Sequence, residues 1–344
     1  MHLIFVRHGE STNNVLLAGL RAEVADPANF NKERYNAEKS NDPSLSALGK
    51  LQAARLGEWM PRYISSMEIA TRVTRVLCSP MERALGTASS IAESLDTSVE
   101  VWSDLHETKG CWSGGVGSRG STGPEIVCRH GKRFSMSAAA PVAETGWWSA
   151  ADGSPKARET EGQSYRRAQI VAARLHQMAL DAREPTLTIV VTHGQWVSLL
   201  MQALLFPGSA QDAKTRRFGH DCTGVSSLVL PGLLRSDGTI GSAQLQCANR
   251  SHHLDAAPQV RHTLPHFHLS GFNEHGKRPT GWAPAQRAAG AAGAAGAAAP
   301  ASPLAQHAGM AAFQEAAGAD SSGARLPFVL SAAPIAAAAS ANGS

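Results

Sequence analysis

The sequence predicts an α/β fold, a three-layer α/β/α sandwich on a mostly parallel central sheet, with a disordered C-terminal tail. Three observations carry that prediction. Short apolar runs bounded by turn residues alternate with longer stretches of helical spacing. The runs stop at Arg7-His8-Gly9, Ser79-Pro80 and Thr192-His193-Gly194, where chemistry-bearing side chains follow a strand. After about residue 255 the composition shifts towards alanine, glycine and serine. Alternating strands and helices imply crossover connections, which bring the carboxyl ends of parallel strands to one edge of the sheet. Open α/β sheets bind their ligands at that edge.

Taken in order, Leu3 to Val6 reads as a buried strand. Residues 15–41 are polar and mixed, and read as an insertion or long loop. Leu48, Leu51, Ala54, Leu56 and Trp59 have helical spacing, so a helix is predicted from Ser46, its N-cap, to about Tyr63. Arg75 to Cys78 forms the second strand. Pro80 then sits where a helix can begin, and that helix runs from Met81 to about Leu95. A third strand is expected at Ser98 to Trp102, while 110–155 has no clear period. Ser164 to Ala182 is a long helix, Leu187 to Val191 the most β-like run, and Gln195 to Leu205 an apolar helix. Ser226 to Leu230 and Ala243 to Ala248 are the final strands. The predicted domain is 1–255. The Ala/Gly-rich segment 256–344 cannot bury enough side-chain area to offset its ordering entropy, and reads as a tail.

With 344 residues, 43% of them hydrophobic, the chain can build a substantial core. The formal charge of +4 is mildly basic. It favours anionic substrates but lacks the dense basic patches of a nucleic-acid binder, so no nucleic-acid partner is expected. Five scattered cysteines without a CxxC pair argue against a disulfide framework or a structural zinc site. No run of about 18 apolar residues is present, so no membrane partner is expected. The amino-terminal residues lack the form of a signal or transit peptide. A cytoplasmic location follows as the expectation.

The chemistry concentrates at three strand ends: Arg7 and His8, Arg83 a turn into the following helix, and His193. Two arginines and two histidines around one cavity suit a phosphate dianion, because guanidinium groups meet phosphate oxygens bidentately. His8 is the candidate nucleophile, since an imidazole nitrogen can attack phosphorus and later leave. Gly9 keeps the approach open, and a backbone carbonyl should hold the other ring N–H. Arg7, Arg83 and His193 would stabilise charge on the equatorial oxygens. Glu107, in Leu105-His106-Glu107, is the chosen proton donor. Neither metal nor cofactor is called for, because positive side chains already surround the phosphoryl group.

Arg7-His8-Gly9-Glu10-Ser11 resembles the R-H-G-[EQ]-[ST] signature of the histidine phosphatase (phosphoglycerate mutase-like) superfamily. Asn14 falls where that family has an asparagine near the phosphate. Asp42-Pro43-Ser44-Leu45-Ser46-Ala47-Leu48-Gly49 with Gln52-Ala53, then Ser79-Pro80-Met81-Glu82-Arg83-Ala84, Leu105-His106-Glu107 and Val190-Val191-Thr192-His193-Gly194 are similar to its further motifs, in order. The resemblance implies a phosphoglycerate mutase-like fold and phosphorylation of His8. It also implies phosphate held by Arg7, Arg83, His193 and Asn14, with proton donation from Glu107. Three departures stand out. Gly86 replaces a common glutamine, 15–41 is longer than in compact members, and Glu107-Thr108-Lys109-Gly110-Cys111 replaces the E-R-H-Y-G of the mutases proper.

The expected function is therefore a phosphatase acting on a small phosphorylated metabolite, with a phosphoglycerate mutase second. A catalytically idle phospho-ligand binder is a third reading, and retention of His8, Arg7, Arg83, His193 and a carboxylate argues against it. Arg129-His130-Gly131 repeats the signature tripeptide but follows no β-run, and reads as a decoy. Trp147-Trp148 is expected to cover a hydrophobic seam rather than stack on a substrate. His252-His253 lacks regular metal-ligand spacing.

Overall fold

A computed structural model of the chain describes residues 1–67, 73–113, 115–207, 218–232 and 243–255. The chain divides into two units, Met1–Trp282 and Ala283–Ser344. The second unit, and with it the predicted tail from 256 onward, lies outside the described residues.

In chain order the elements are β1 (His2–Arg7), α1 (Thr12–Ala22), α2 (Lys32–Glu38), α3 (Ala47–Ser65), β2 (Val73–Cys78) and α4 (Glu82–Ser94). There follow β3 (Val99–Val101), β4 (Trp112–Ser113), β5 (Val116–Gly117), α5 (Gly123–His130) and β6 (Phe134–Met136). The last are α6 (Glu161–Asp181), β7 (Leu187–Thr192), α7 (Gly194–Leu205), β8 (Val225–Val229) and β9 (Gln244–Arg250).

The central sheet runs β6-β3-β2-β7-β1-β8-β9. Its first five strands are parallel, and β8 and β9 add antiparallel at one edge. Side chains alternate between faces along a strand. On β1, Leu3 and Phe5 pack with Leu175, Trp196 and Leu200 of α6 and α7. Ile4 and Val6 pack on the other face with Leu56, Met60, Leu85 and Ile91 of α3 and α4. All four β1 residues are fully buried. A strand covered on both faces reads as an unbroken apolar run, and each such side chain contributes on the order of 2 kcal/mol. Three layers result, as the sequence predicts.

Two regions correct the sequence reading. The segment at 15–41, read as an insertion or a long loop, holds most of α1, a 3-10 turn at Pro27–Asn29 and α2, so it is helical rather than a loop. Its helices are set by local caps. Ser11 and Asn14 form a reciprocal capping box on α1, and the Asn31 side chain accepts from the Arg34 N–H on α2. They bury little, Leu20 being the one fully buried residue of α1 and α2. The stretch 110–155 likewise contains α5, started by a Thr122/Glu125 capping box, and a small antiparallel pair β4–β5. Ser46 caps α3 through the Gly49 N–H, in line with the sequence.

Candidate active site

β7 lies between β2 and β1, with Arg7 opposite Thr192 and Cys78 opposite Val191. Parallel register therefore delivers His8, Ser79 and His193 side by side at one sheet edge. Backbone bonds extend the ladder past the strand ends: His8 N–H donates to Thr192 O at 2.9 Å, and Ser79 N–H to Val191 O at 3.0 Å. The site is thus anchored by the sheet itself, not by flexible loops.

His8 is almost fully buried. Its Nδ1–H donates to the Gly9 carbonyl at 2.6 Å, and Arg83 Nε donates to its Nε2 at 3.0 Å. Burial, then the cationic Arg83 and Arg7, hold the imidazole well below the usual histidine range, against the opposing pull of the Gly9 carbonyl. A neutral ring with its proton on Nδ1 keeps its lone pair on Nε2, where it accepts from Arg83. Gly9 meets a close-packed neighbour here: a Cβ would approach Gly49 O at 2.6 Å. Gly49 in turn has no room for a Cβ against the Glu10 backbone. The two motif glycines interlock, and Gly9 N–H donates to Thr87 Oγ1 at 3.0 Å.

His193 is fully buried, its ring centroid 5.1 Å from that of His8. Its Nε2 pairs with Ser79 Oγ at 2.7 Å. Burial, followed by Arg83 and His8, depresses its basicity as well. Arg7 Nη1 donates to His220 O at 2.6 Å, and its Nε lies 3.3 Å from where a Gly194 Cβ would stand, at the first residue of α7. Arg83 Nη1 is 3.9 Å from Asp42 Oδ1. Three buried polar atoms grouped around His8 have no hydrogen-bond partner: Arg7 Nε, Arg83 Nη1 and His193 Nδ1. Buried donors without partners are rare, and a cluster beside a lone pair is what a bound anion would satisfy.

Glu107 sits on the next wall. Its Oε1 accepts from Thr108 N–H at 2.9 Å and from Trp196 N–H, in the first turn of α7, at 3.0 Å. Oε2 is the oxygen left for a ligand. Asn14 turns its carboxamide oxygen to Ser11 N–H and Oγ, at 3.0 and 2.8 Å, so that oxygen serves the helix cap. Glu10 accepts from Ser46 Oγ at 2.5 Å, and Glu82 pairs with His130 and Arg129. The second Arg-His-Gly tripeptide thus closes α5 onto Glu82, away from any strand end. Trp147 and Trp148 are buried with Met81 and Cys111 and pack around His106, the seam expected for them.

Several supporting residues carry no sequence signal. His220 gives its carbonyl to Arg7 and its Nε2 to Ser226 Oγ at 2.6 Å, and Thr223 N–H donates to His8 O. Arg167 Nη1 donates to the Asp104 and His106 carbonyls while Nε and Nη2 hold Glu159, clamping the Glu107 loop to α6. Asp42 accepts from Glu82 N–H, and burial first, then Glu82, push its carboxyl up to about 6 against the pull of Arg83. Only Asp42 lay within a quoted motif.

Residues 3–118 match the model of the Histidine phosphatase superfamily (branch 1), so the resemblance read from the motifs holds over that stretch. No curated protein matches the chain. Among solved structures, the chain is similar to a protein described as mycobacterial hydrolase 2, at 23% identity over 76% of this chain and 98% of that one, with a TM-score of 0.45. The native structure of a mycobacterial glucosyl-3-phosphoglycerate phosphatase gives 22% identity, 72% and 98% coverage, and a TM-score of 0.43. A phosphoserine phosphatase from Entamoeba histolytica, in complex with 3-phosphoglyceric acid, gives 19%, 74% and 98%, and 0.42. Among the described residues no helix is long and apolar enough to cross a membrane, and no group of three or more His, Cys, Asp or Glu is placed to hold a metal ion.

Proposed function

We propose that this chain is a metal-independent phosphomonoester hydrolase that works through a phosphohistidine at His8, on a small phosphorylated substrate. The observation that carries this reading is that Arg7, Arg83 and His193, each with a buried side-chain nitrogen lacking a hydrogen-bond partner, act on His8 in one buried cluster. In the first step Nε2 attacks phosphorus, and a P–N bond forms as the P–O bond to the leaving alkoxide breaks. Glu107 gives its proton to that alkoxide. Arg7, Arg83 and His193 receive the equatorial oxygens, Asn14 Nδ2 assists at the rim, and the helix start at Gly194 adds a favourable dipole. In the second step the Glu107 carboxylate takes a proton from water, the oxygen attacks phosphorus, and the P–N bond breaks. Phosphate and neutral His8 are released.

The test is hydrolysis of an aryl phosphate by wild type and His8→Ala in EDTA. Activity that survives the chelator and falls on the order of 10⁴-fold or more in the variant supports the reading. Hydrolysis equal in both proteins would overturn it.

A further inference from the structure

A turn at residues 220–224, just ahead of β8, makes three hydrogen bonds to the end of β1. Arg7 Nη1 donates to the His220 carbonyl at 2.6 Å, and Arg7 N–H donates to the Gly224 carbonyl at 3.1 Å. Thr223 N–H donates to the His8 carbonyl at 3.2 Å. One short segment thus grips Arg7 at both its backbone and its guanidinium. Holding Nη1 in this way leaves the buried Arg7 Nε, which has no hydrogen-bond partner, as the donor open to an anion.

The turn is itself locked by residues from the end of β9 onward. Between the Val225–Arg250 and Ser227–Cys247 pairs, β9 has one more residue than β8, and at this bulge Asn249 has φ of +49°. Its carboxamide meets the turn: Oδ1 accepts from Asp221 N–H at 2.7 Å, and Nδ2 donates to Asp221 Oδ2 at 3.1 Å. Asn249 N–H donates to Ser226 Oγ at 2.9 Å. His220 gives its Nδ1–H to the Phe218 carbonyl at 3.0 Å, so its Nε2 accepts from the Ser226 hydroxyl at 2.6 Å. Thr223 Oγ1 donates to the Cys222 carbonyl at 2.7 Å and accepts from His253 Nε2 at 2.8 Å. His253 belongs to a 3-10 turn at His252–Leu254, its ring 5.4 Å from that of Trp59 on α3.

Thr223 has φ of +57°, a conformation that a β-branched residue rarely adopts, and a Cβ at Gly224 would collide with Asn249 Oδ1. Backbone of this kind persists only where its surroundings over-determine it, and it collects at functional sites. We propose that the 220–224 turn, locked by Asn249 and His253, is the positioning element that aims the Arg7 guanidinium at the transferred phosphoryl group. Asn249 and His253 are then positioning residues that act on Arg7 through the turn. This rests on the phosphatase reading above for what Arg7 holds, though not for how Arg7 is held.

A double-mutant cycle with Arg7 tests it. Asn249→Gly keeps the left-handed backbone and removes the carboxamide. His253→Phe keeps a ring beside Trp59 and removes the bond to Thr223, so it completes the cycle where the first variant fails to fold. Each should lower kcat/KM for p-nitrophenyl phosphate about tenfold or more in the wild-type background. In Arg7→Ala the same changes should cost less than about twofold, because their route to the phosphoryl group has gone. Losses of equal size in both backgrounds would place the effect on His8 or on stability at large, and overturn the proposal. Wild-type kinetics in both variants would overturn it too. Calorimetric binding of inorganic phosphate runs the same cycle without turnover. An Arg7-dependent loss of affinity, in a protein that hydrolyses no ester, keeps the turn and sinks the phosphatase. Hydrolysis with equal losses in both backgrounds does the reverse, and a wild type that neither binds phosphate nor hydrolyses the ester overturns both.

Discussion

The strand-end pocket and the walls that overhang it are built by different means. In the pocket, His8, Ser79 and His193 are held by the parallel ladder and by interlocked Gly9 and Gly49. In the peripheral helices, α1 and α5 rest on capping boxes and α2 on its Asn31 cap, and they bury little. The contrast teaches a division of labour. Positions that must not move are fixed by the sheet, whose central strands β1 and β7 are almost wholly buried. Positions in the peripheral helices are fixed locally, where substitution costs little stability.

Substitutions can break or sharpen that contrast, and the largest effects belong to the pocket. Glu107→Gln should lower kcat/KM by about 10²- to 10⁴-fold for an alkyl phosphate and much less for p-nitrophenyl phosphate, whose leaving group needs no proton. Equal losses on both would remove Glu107 from the acid role. Arg83→Ala should cost on the order of 10²- to 10³-fold in kcat, since it removes a donor to the transferred group and one to His8 Nε2. Arg167→Met leaves Glu159 buried without its partner, so denaturant unfolding should show a loss of about 3–5 kcal/mol. An unchanged midpoint would show that the Glu107 loop is held by other contacts.

Acid should act on the pocket before the walls. His8, His193 and His106 are buried with basicity depressed, so the unfolded chain binds more protons than the folded one below the ordinary histidine value of 6.5. Their contribution is present above that pH and is lost as pH falls. Asp42, raised to about 6, runs the opposite way: its carboxyl favours folding at low pH and costs stability once ionised. His2, His176 and His220 are depressed by burial as well, His220 to about 4, so the histidines outweigh Asp42: thermal melting should fall as pH is lowered from 6.5 towards 4, and Asp42→Asn should steepen that fall. The smallest effect belongs to the walls: Asn31→Ala removes the α2 cap and should cost about 1 kcal/mol or less, with kcat for an aryl phosphate intact.

The same division explains what could be read in the sequence. Leu3–Val6 and Leu187–Val191 are continuous apolar runs because both faces are covered, and their ends mark the site directly. His8 and His193 lie just beyond those ends, whereas Arg83 stands in the first turn of α4 after β2, and Glu107 follows β3 and a 3-10 turn. His220 stayed hidden because it serves Arg7 through a backbone carbonyl 213 residues away, which no side-chain pattern announces. Arg167 acts across 61 residues in the same way. The helices at 12–38 went unread because they are short and set in a polar stretch, with ends marked only by the caps at Ser11, Asn14 and Asn31. Thr122-x-x-Glu125 was a capping-box signal in plain view, masked by the glycines around it.

The most direct test of the central claim is to trap the phosphoenzyme. The enzyme is mixed rapidly with substrate, quenched in alkali where phosphohistidine survives, and mapped by mass spectrometry. A phosphoryl group on His8, formed and discharged at rates that match turnover, is the predicted result. Phosphate on any other residue, or turnover with His8 unmodified at every time point, would contradict the account.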